Sequence, residues 1–192
     1  MEWLEFFSSR QAFELLLRKE GVWQTAVLVF AFSVFLHRAR SASLWKQSLL
    51  ALPGVFLHEL MHLVVGIVFC ASPASFSVIP RRDGDRYLLG SVTFRSANLV
   101  NSVFVGMAPI LLLPVAGWIF LHWAVPAWLQ AEYLRWVFIG YLTASITHSS
   151  VPSAQDFRMS LASICFYCLL GGGVWWLYRE TPAFLAGLAT FQ

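Results

Sequence analysis

Charge is scarce in this chain. Only 12% of its 192 residues are Asp, Glu, Lys or Arg, against about 25% in an ordinary soluble domain. A net charge of +3 is small for the length, which excludes the basic footprint of a nucleic-acid-binding protein. Cysteine is scarce too: Cys70, Cys165 and Cys168 all stand in apolar stretches. Cys165 and Cys168 form a CxxC inside Ser163-Ile164-Cys165-Phe166-Tyr167-Cys168, an uninterrupted apolar run. Without a turn or a second ligand pair, such cysteines read as small buried hydrophobes rather than a metal or redox pair. There is no internal repeat, no Gly/Ser-rich linker and no block of like charges, so nothing divides residues 1–192 into domains.

What is abundant is apolar surface. Residues of the set AVILMFWYC make up 58% of the chain, with 17 Phe and 9 Trp, and mean hydropathy is +0.67. A water-soluble fold of this size cannot hide so many large side chains behind so few charges. Disorder is excluded by the same numbers. The expectation is an all-α, polytopic integral membrane protein embedded in a lipid bilayer.

A spanning helix needs about 20 apolar residues, because a rise of about 1.5 Å per residue must cover about 30 Å. Five stretches approach that standard: 22–37, 48–70, 99–123, 133–151 and 157–178. The segment 1–20 mixes Trp3, Phe6, Phe7, Phe13 and Leu17 with acids and bases, as an amphipathic helix lying in the interface does. Glu2, Glu5, Glu14 and Glu20 argue against a signal peptide, whose leading region is basic. Most Arg and Lys fall on the side of the N-terminus if five crossings are counted, which favours a cytoplasmic N-terminus. Trp118, Trp123, Trp128 and Trp136 bracket the loop after the third crossing in the manner of an aromatic belt. His37 and His122 fall near helix ends and read as interfacial, and Gly171-Gly172-Gly173 as a place for close packing or a bend.

One connection is not a simple loop. In residues 75–94, the β-prone runs Phe76–Ile79 and Tyr87–Phe94 flank a charged turn at Asp83-Gly84. That pattern predicts a β-hairpin, with Pro80 confining one strand to an edge or an early end. Unpaired strand edges cannot face lipid, so the hairpin is expected at the interface or in a protein-lined cavity.

The chemistry is concentrated in His58-Glu59-Leu60-Met61-His62, an HExxH sequence inside the second stretch. Positions four apart lie one above the other on a helix, so both imidazoles can reach one metal ion. Glu59 follows directly and can take a proton from a zinc-activated water. With 5 His and 7 Glu among 192 residues, chance produces the pattern only roughly 0.5% of the time, and chance does not explain its place in mid-membrane. An ionised carboxylate there costs about 2.5–3.5 kcal/mol on insertion scales. A buried Glu–His pair joining two helices explains one histidine and leaves the spacing to coincidence.

Catalytic zinc takes three protein ligands and keeps one position open. Asp83 and Asp85 belong to the polar turn, and Glu132 and Glu180 lie at expected helix ends. Asp156 differs: it follows the polar break Thr147-His148-Ser149-Ser150-Val151-Pro152-Ser153-Ala154-Gln155 between two apolar runs. Pro152 ends one helix and Ser153 can cap the next. Two readings of Asp156 are open, a third ligand carried inward by the break, or a first-turn residue paired with Arg158.

At this point the sequence resembles the site-2 protease class of intramembrane zinc metalloproteases, over roughly residues 48–160. The matching pieces are His58-Glu59-Leu60-Met61-His62, Gly106-Met107-Ala108-Pro109, and the Ser149–Asp156 stretch with Pro152. The resemblance implies that His58, His62 and Asp156 bind one Zn2+, that Glu59 is the general base, and that a sheet beside the site holds a transmembrane protein or peptide substrate extended. Better-known members carry Asn-x-x-Pro followed by Leu-Asp-Gly. Here Ser149 stands for that Asn and Gln155-Asp156-Phe157 for Leu-Asp-Gly, as in a compact, divergent branch, and the oxyanion-stabilising group is left open among His148, Ser149 and Asn101. No polar stretch is long enough for an inserted PDZ-like domain, and compactness suggests a prokaryotic inner membrane. Two rivals stand beside this reading: a membrane zinc protease whose third ligand is a downstream Glu such as Glu180, and a non-proteolytic metal transporter or assembly factor.

Overall fold

The computed structural model describes residues 20–39, 44–83 and 86–189. The expected interfacial helix over 1–20 and the turn at Gly84-Asp85 lie outside them, apart from Glu20. Two long helices open the fold, α1 (Val22–Ala39) and α2 (Leu44–Val68). Four short strands follow: β1 (Pro73–Ser77), β2 (Arg81–Asp83), β3 (Arg86–Leu88) and β4 (Ser91–Phe94). The chain then runs through α3 (Ser102–Gly106), a 3-10 turn at Ala108–Leu111, α4 (Leu112–Ile119), a π-helical turn at Phe120–Ala124 and α5 (Val125–Leu129). Two helices complete it, α6 (Tyr133–Ser149) and α7 (Ala154–Ala189).

Among the described residues, four helices are long and apolar enough to cross a membrane: Val22–Ala39, Ser48–Val68, Ala108–Leu129 and Ala154–Arg179. These four do not by themselves confirm the expected count of about five. Residues 99–107 precede the third crossing as a turn and the short α3. The fourth expected span is α6, whose 17 residues cover only about 26 Å. Its second half is buried in protein, while Tyr133, Leu134, Val137 and Phe138 of its first half are exposed. Its buried face carries Ile139, Gly140, Thr143, Ala144, Ser145 and Ile146, and it packs against α1, α2 and α4. Trp136 donates its indole N–H to Thr25 of α1 at 3.0 Å, while an added Cβ at Gly140 would run into Leu28.

Helix α2 carries Pro53 in its interior, which removes one backbone donor and crowds the preceding turn. The neighbouring helix supplies partners there. Tyr141 donates its hydroxyl to the Leu50 carbonyl at 2.6 Å, and the Gly54 N–H donates to Ser145 Oγ at 3.1 Å. Such repair is what lets a proline stand in a membrane helix. Gly54 is needed for the approach, since a Cβ there would collide with the Ser145 carbonyl and Ser149 Oγ. One turn on, Leu57 and Met61 pack on the core of Leu112, Ala116 and Ile146, which turns His58 and His62 to the other side.

The helix ends in a Schellman motif: the Ala71 N–H reaches the Gly66 carbonyl and the Cys70 N–H the Ile67 carbonyl, with Cys70 left-handed at φ 54°. The expected hairpin is present as two short antiparallel ladders. β1 pairs with β4 (Phe76 opposite Val92, Ser77 opposite Ser91) and β2 with β3 (Arg82 opposite Tyr87). Pro80 sits at the break between β1 and β2, where no ladder donor is required. The sheet lies along α2, with Phe94 against Gly66 at one end and Gly90 against Glu59 at the other. Seven helix residues rise about 10.5 Å and four strand residues about 13 Å, so the two contacts are compatible with a strand running beside the helix.

Candidate metal centre

Three side chains from two distant stretches converge. His58 Nε2 lies 3.4 Å from Asp156 Oδ2, His62 Nε2 lies 3.3 Å from Asp156 Oδ1, and the two Nε2 atoms are 3.2 Å apart. One ligand atom from each residue lies within 4.8 Å of the others, a group that can hold a metal ion. Asp156 thus faces the imidazoles, and among the described residues it makes no ion pair with Arg158.

The imidazoles are aimed by the backbone. His58 donates Nδ1–H to the Ser149 carbonyl at 2.6 Å, and His62 donates Nδ1–H to the Val105 carbonyl at 2.8 Å. A carbonyl only accepts, so each ring carries a hydrogen on Nδ1 and turns its Nε2 inward. That is the outer-shell arrangement that sets tautomer and ring direction for a metal-bound histidine. Asp156 is held by a capping box at the start of α7: the Ser153 N–H donates to Oδ2 at 2.6 Å and the Asp156 N–H to Ser153 Oγ at 3.2 Å.

The donor set passes the test of whether a metal fits. Two neutral Nε2 lone pairs and an anionic carboxylate repel one another unless a cation lies between them. A single proton can serve only one of the three gaps. A tetrahedral ion with bonds of about 2.0–2.1 Å sets its ligand atoms about 3.3 Å apart; the two Nε2 atoms are 3.2 Å apart, and each imidazole faces a different oxygen of the one carboxylate.

Glu59 is 8% exposed and His62 4%. Both border a cavity of about 690 Å³ that His58 and Asp156 also line. Its walls come from the end of α1, the middle of α2, β4, the end of α6 and the start of α7. Gly90 covers the carboxylate: a Cβ there would sit 2.6 Å from Glu59 Cγ and 2.8 Å from Oε1. Of the three open candidates for an oxyanion contact, His148 and Ser149 line the cavity. Asn101 is buried elsewhere, donating to the carbonyls of Phe69 and Ser96 and accepting from the Asn98 N–H. The side chain of Glu180 lies outside the described residues, but its position is 24 residues beyond Asp156 on α7, about 36 Å along the axis. Cys165 and Cys168 are free thiols exposed on α7.

Sequence reasoning passed over Gly90 and the two aiming carbonyls. A glycine within a β-prone run signals close backbone approach, and that signal was present at Gly90. The carbonyls leave no trace in side-chain identity. No family model, curated protein or solved structure matches this chain.

Proposed function

We propose that the chain is an intramembrane zinc metalloprotease that hydrolyses a peptide bond in or beside a transmembrane segment of a membrane-protein substrate. The observation that carries this reading is the approach of His58, His62 and Asp156 to one point on the same cavity that holds the Glu59 carboxylate.

Zinc, when bound, polarises the scissile carbonyl and lowers the pKa of a water towards about 7. Glu59 accepts a proton from the attacking water on a carboxylate oxygen, as the water oxygen bonds to the carbonyl carbon. When the C–N bond breaks, Glu59 returns that proton to the leaving nitrogen. Gly90 packs on the Glu59 side chain, which is 8% exposed and still borders the cavity. A helical substrate hides its carbonyls in hydrogen bonds and must unwind locally to react. β4 pairs with β1 along one edge, while Ser91, Val92 and Phe94 line the cavity. An unwound segment can add to the remaining edge of β4 as a further strand.

The test is Glu59→Gln. Zinc content of one ion per chain with cleavage of a model transmembrane peptide reduced about 10²–10⁴-fold supports the reading. Undiminished cleavage removes Glu59 from the chemistry. Zinc bound by a wild-type protein that cleaves nothing returns the chain to the metal-binding, non-proteolytic class.

A further inference from the structure

Arg158 lines the same cavity and is an exposed residue. Among the described residues it has no hydrogen bond or ion pair. The acid nearest to it in sequence is spent: Asp156 Oδ2 takes the Ser153 N–H and faces His58, and Oδ1 faces His62. The other acid of the cavity, Glu59, lies beneath Gly90. The cavity is lined as well by apolar Leu36, Val55, Val92 and Met159 and by neutral, polar Ser149 and Gln155.

A guanidinium in the membrane-spanning part of a helix is costly and ordinarily finds an anion. Among the described residues none pairs with it, and it borders a cavity with room for one. We infer that Arg158 anchors a carboxylate of the substrate, an Asp or Glu side chain close to the scissile bond, and so sets specificity for the reaction proposed above. The planar fork matches a carboxylate with two parallel N–H···O bonds. The same positive charge repels a substrate carrying Lys or Arg at that point. A lipid phosphate is the less suitable partner, because Arg158 lines the same cavity as the metal-binding group.

The inference rests on the protease reading, yet binding tests it without any cleavage. The probes are dye-labelled 20-residue apolar peptides with one Glu stepped along the sequence, beside Gln and Lys versions. They are titrated by fluorescence anisotropy into the full-length Glu59→Gln protein in detergent micelles. At one position Glu is expected to bind about 10-fold or more tighter than Gln. Arg158→Gln on that background abolishes the difference, and Arg158→Glu reverses it in favour of Lys, each with one zinc retained per chain. An acidic preference that survives Arg158→Gln, or none at any position, overturns the inference. So does loss of zinc from Arg158→Gln, which makes Arg158 a support of the metal group. Arg158-dependent binding of phosphatidylglycerol vesicles without peptide discrimination also overturns it, and assigns the anion to lipid. Absence of Glu59-dependent cleavage in the wild type sinks the protease reading alone, leaving the measured preference as the evidence on Arg158.

Discussion

The opening turns of α7 and its distal half form one continuous helix in two different surroundings. From Asp156 to Tyr167 the helix is fastened to the segment before and within α3. Ser160 donates to the Ser102 carbonyl, Ser163 to the Leu99 carbonyl and Tyr167 to the Val100 carbonyl. Beyond that, Leu169, Leu170, Val174, Trp175, Trp176 and Leu177 are all more than half exposed, and nothing lies within 4 Å of a Cβ added at Gly171, Gly172 or Gly173. Both halves are apolar enough to count as one crossing. Only the first is held in register with the rest of the bundle, and that is the half that carries a ligand. Small hydroxyl residues at one-turn spacing mark where a membrane helix meets protein; bulky apolar residues all round mark where it meets lipid.

Substitutions at the two halves should separate by size and sign. The largest effect is expected at Asp156→Ala, which removes one of three ligands. Zinc affinity should fall about 100-fold or more, beyond the usual cost of losing an outer-shell partner, when measured by equilibrium dialysis and metal analysis. Next comes Gly106→Ala. Its Cβ would lie 2.6 Å from the Asp156 carbonyl and would also meet Ser160 Oγ, so α7 must move away from α3. A loss of about 1–3 kcal/mol is expected, read as a lower unfolding midpoint in detergent, together with weaker zinc binding. Tyr167→Phe, at the border of the two halves, should cost about 1 kcal/mol through the bond to Val100 and leave zinc binding unchanged. Gly172→Ala lies in the open half and should stabilise by about 1 kcal/mol or less, with no effect on metal. A Gly172→Ala protein that lost zinc would erase the contrast between the halves.

The parts of the site that were legible in the sequence depend on fixed local geometry. Helical spacing alone brings His58 and His62 to one face, and the proline-marked break ahead of Asp156 announces a carboxylate leaving a helix interior. The open choice at Asp156 arose because a capping residue and a ligand have the same sequence signature; in the structure the one carboxylate both closes the capping box and faces the imidazoles. The role of α6 was not legible. Hydropathy reports length and composition, and a short helix with Thr143, Ser145 and Thr147 scores low whether water or protein surrounds it. The contact of Gly90 with Glu59 depends on how a sheet settles on α2, thirty residues away in the chain, which no local pattern encodes.

One feature of the imidazole hooks reaches further than the site. Every residue type brings a main-chain oxygen, so the hook at positions 105 and 149 does not itself depend on which side chain stands there. What they cannot tolerate is a change in the path of the chain. A sliding of α3 or of the end of α6 against α2 would swing the rings, making the grip on the ion a gauge of how well the bundle is assembled.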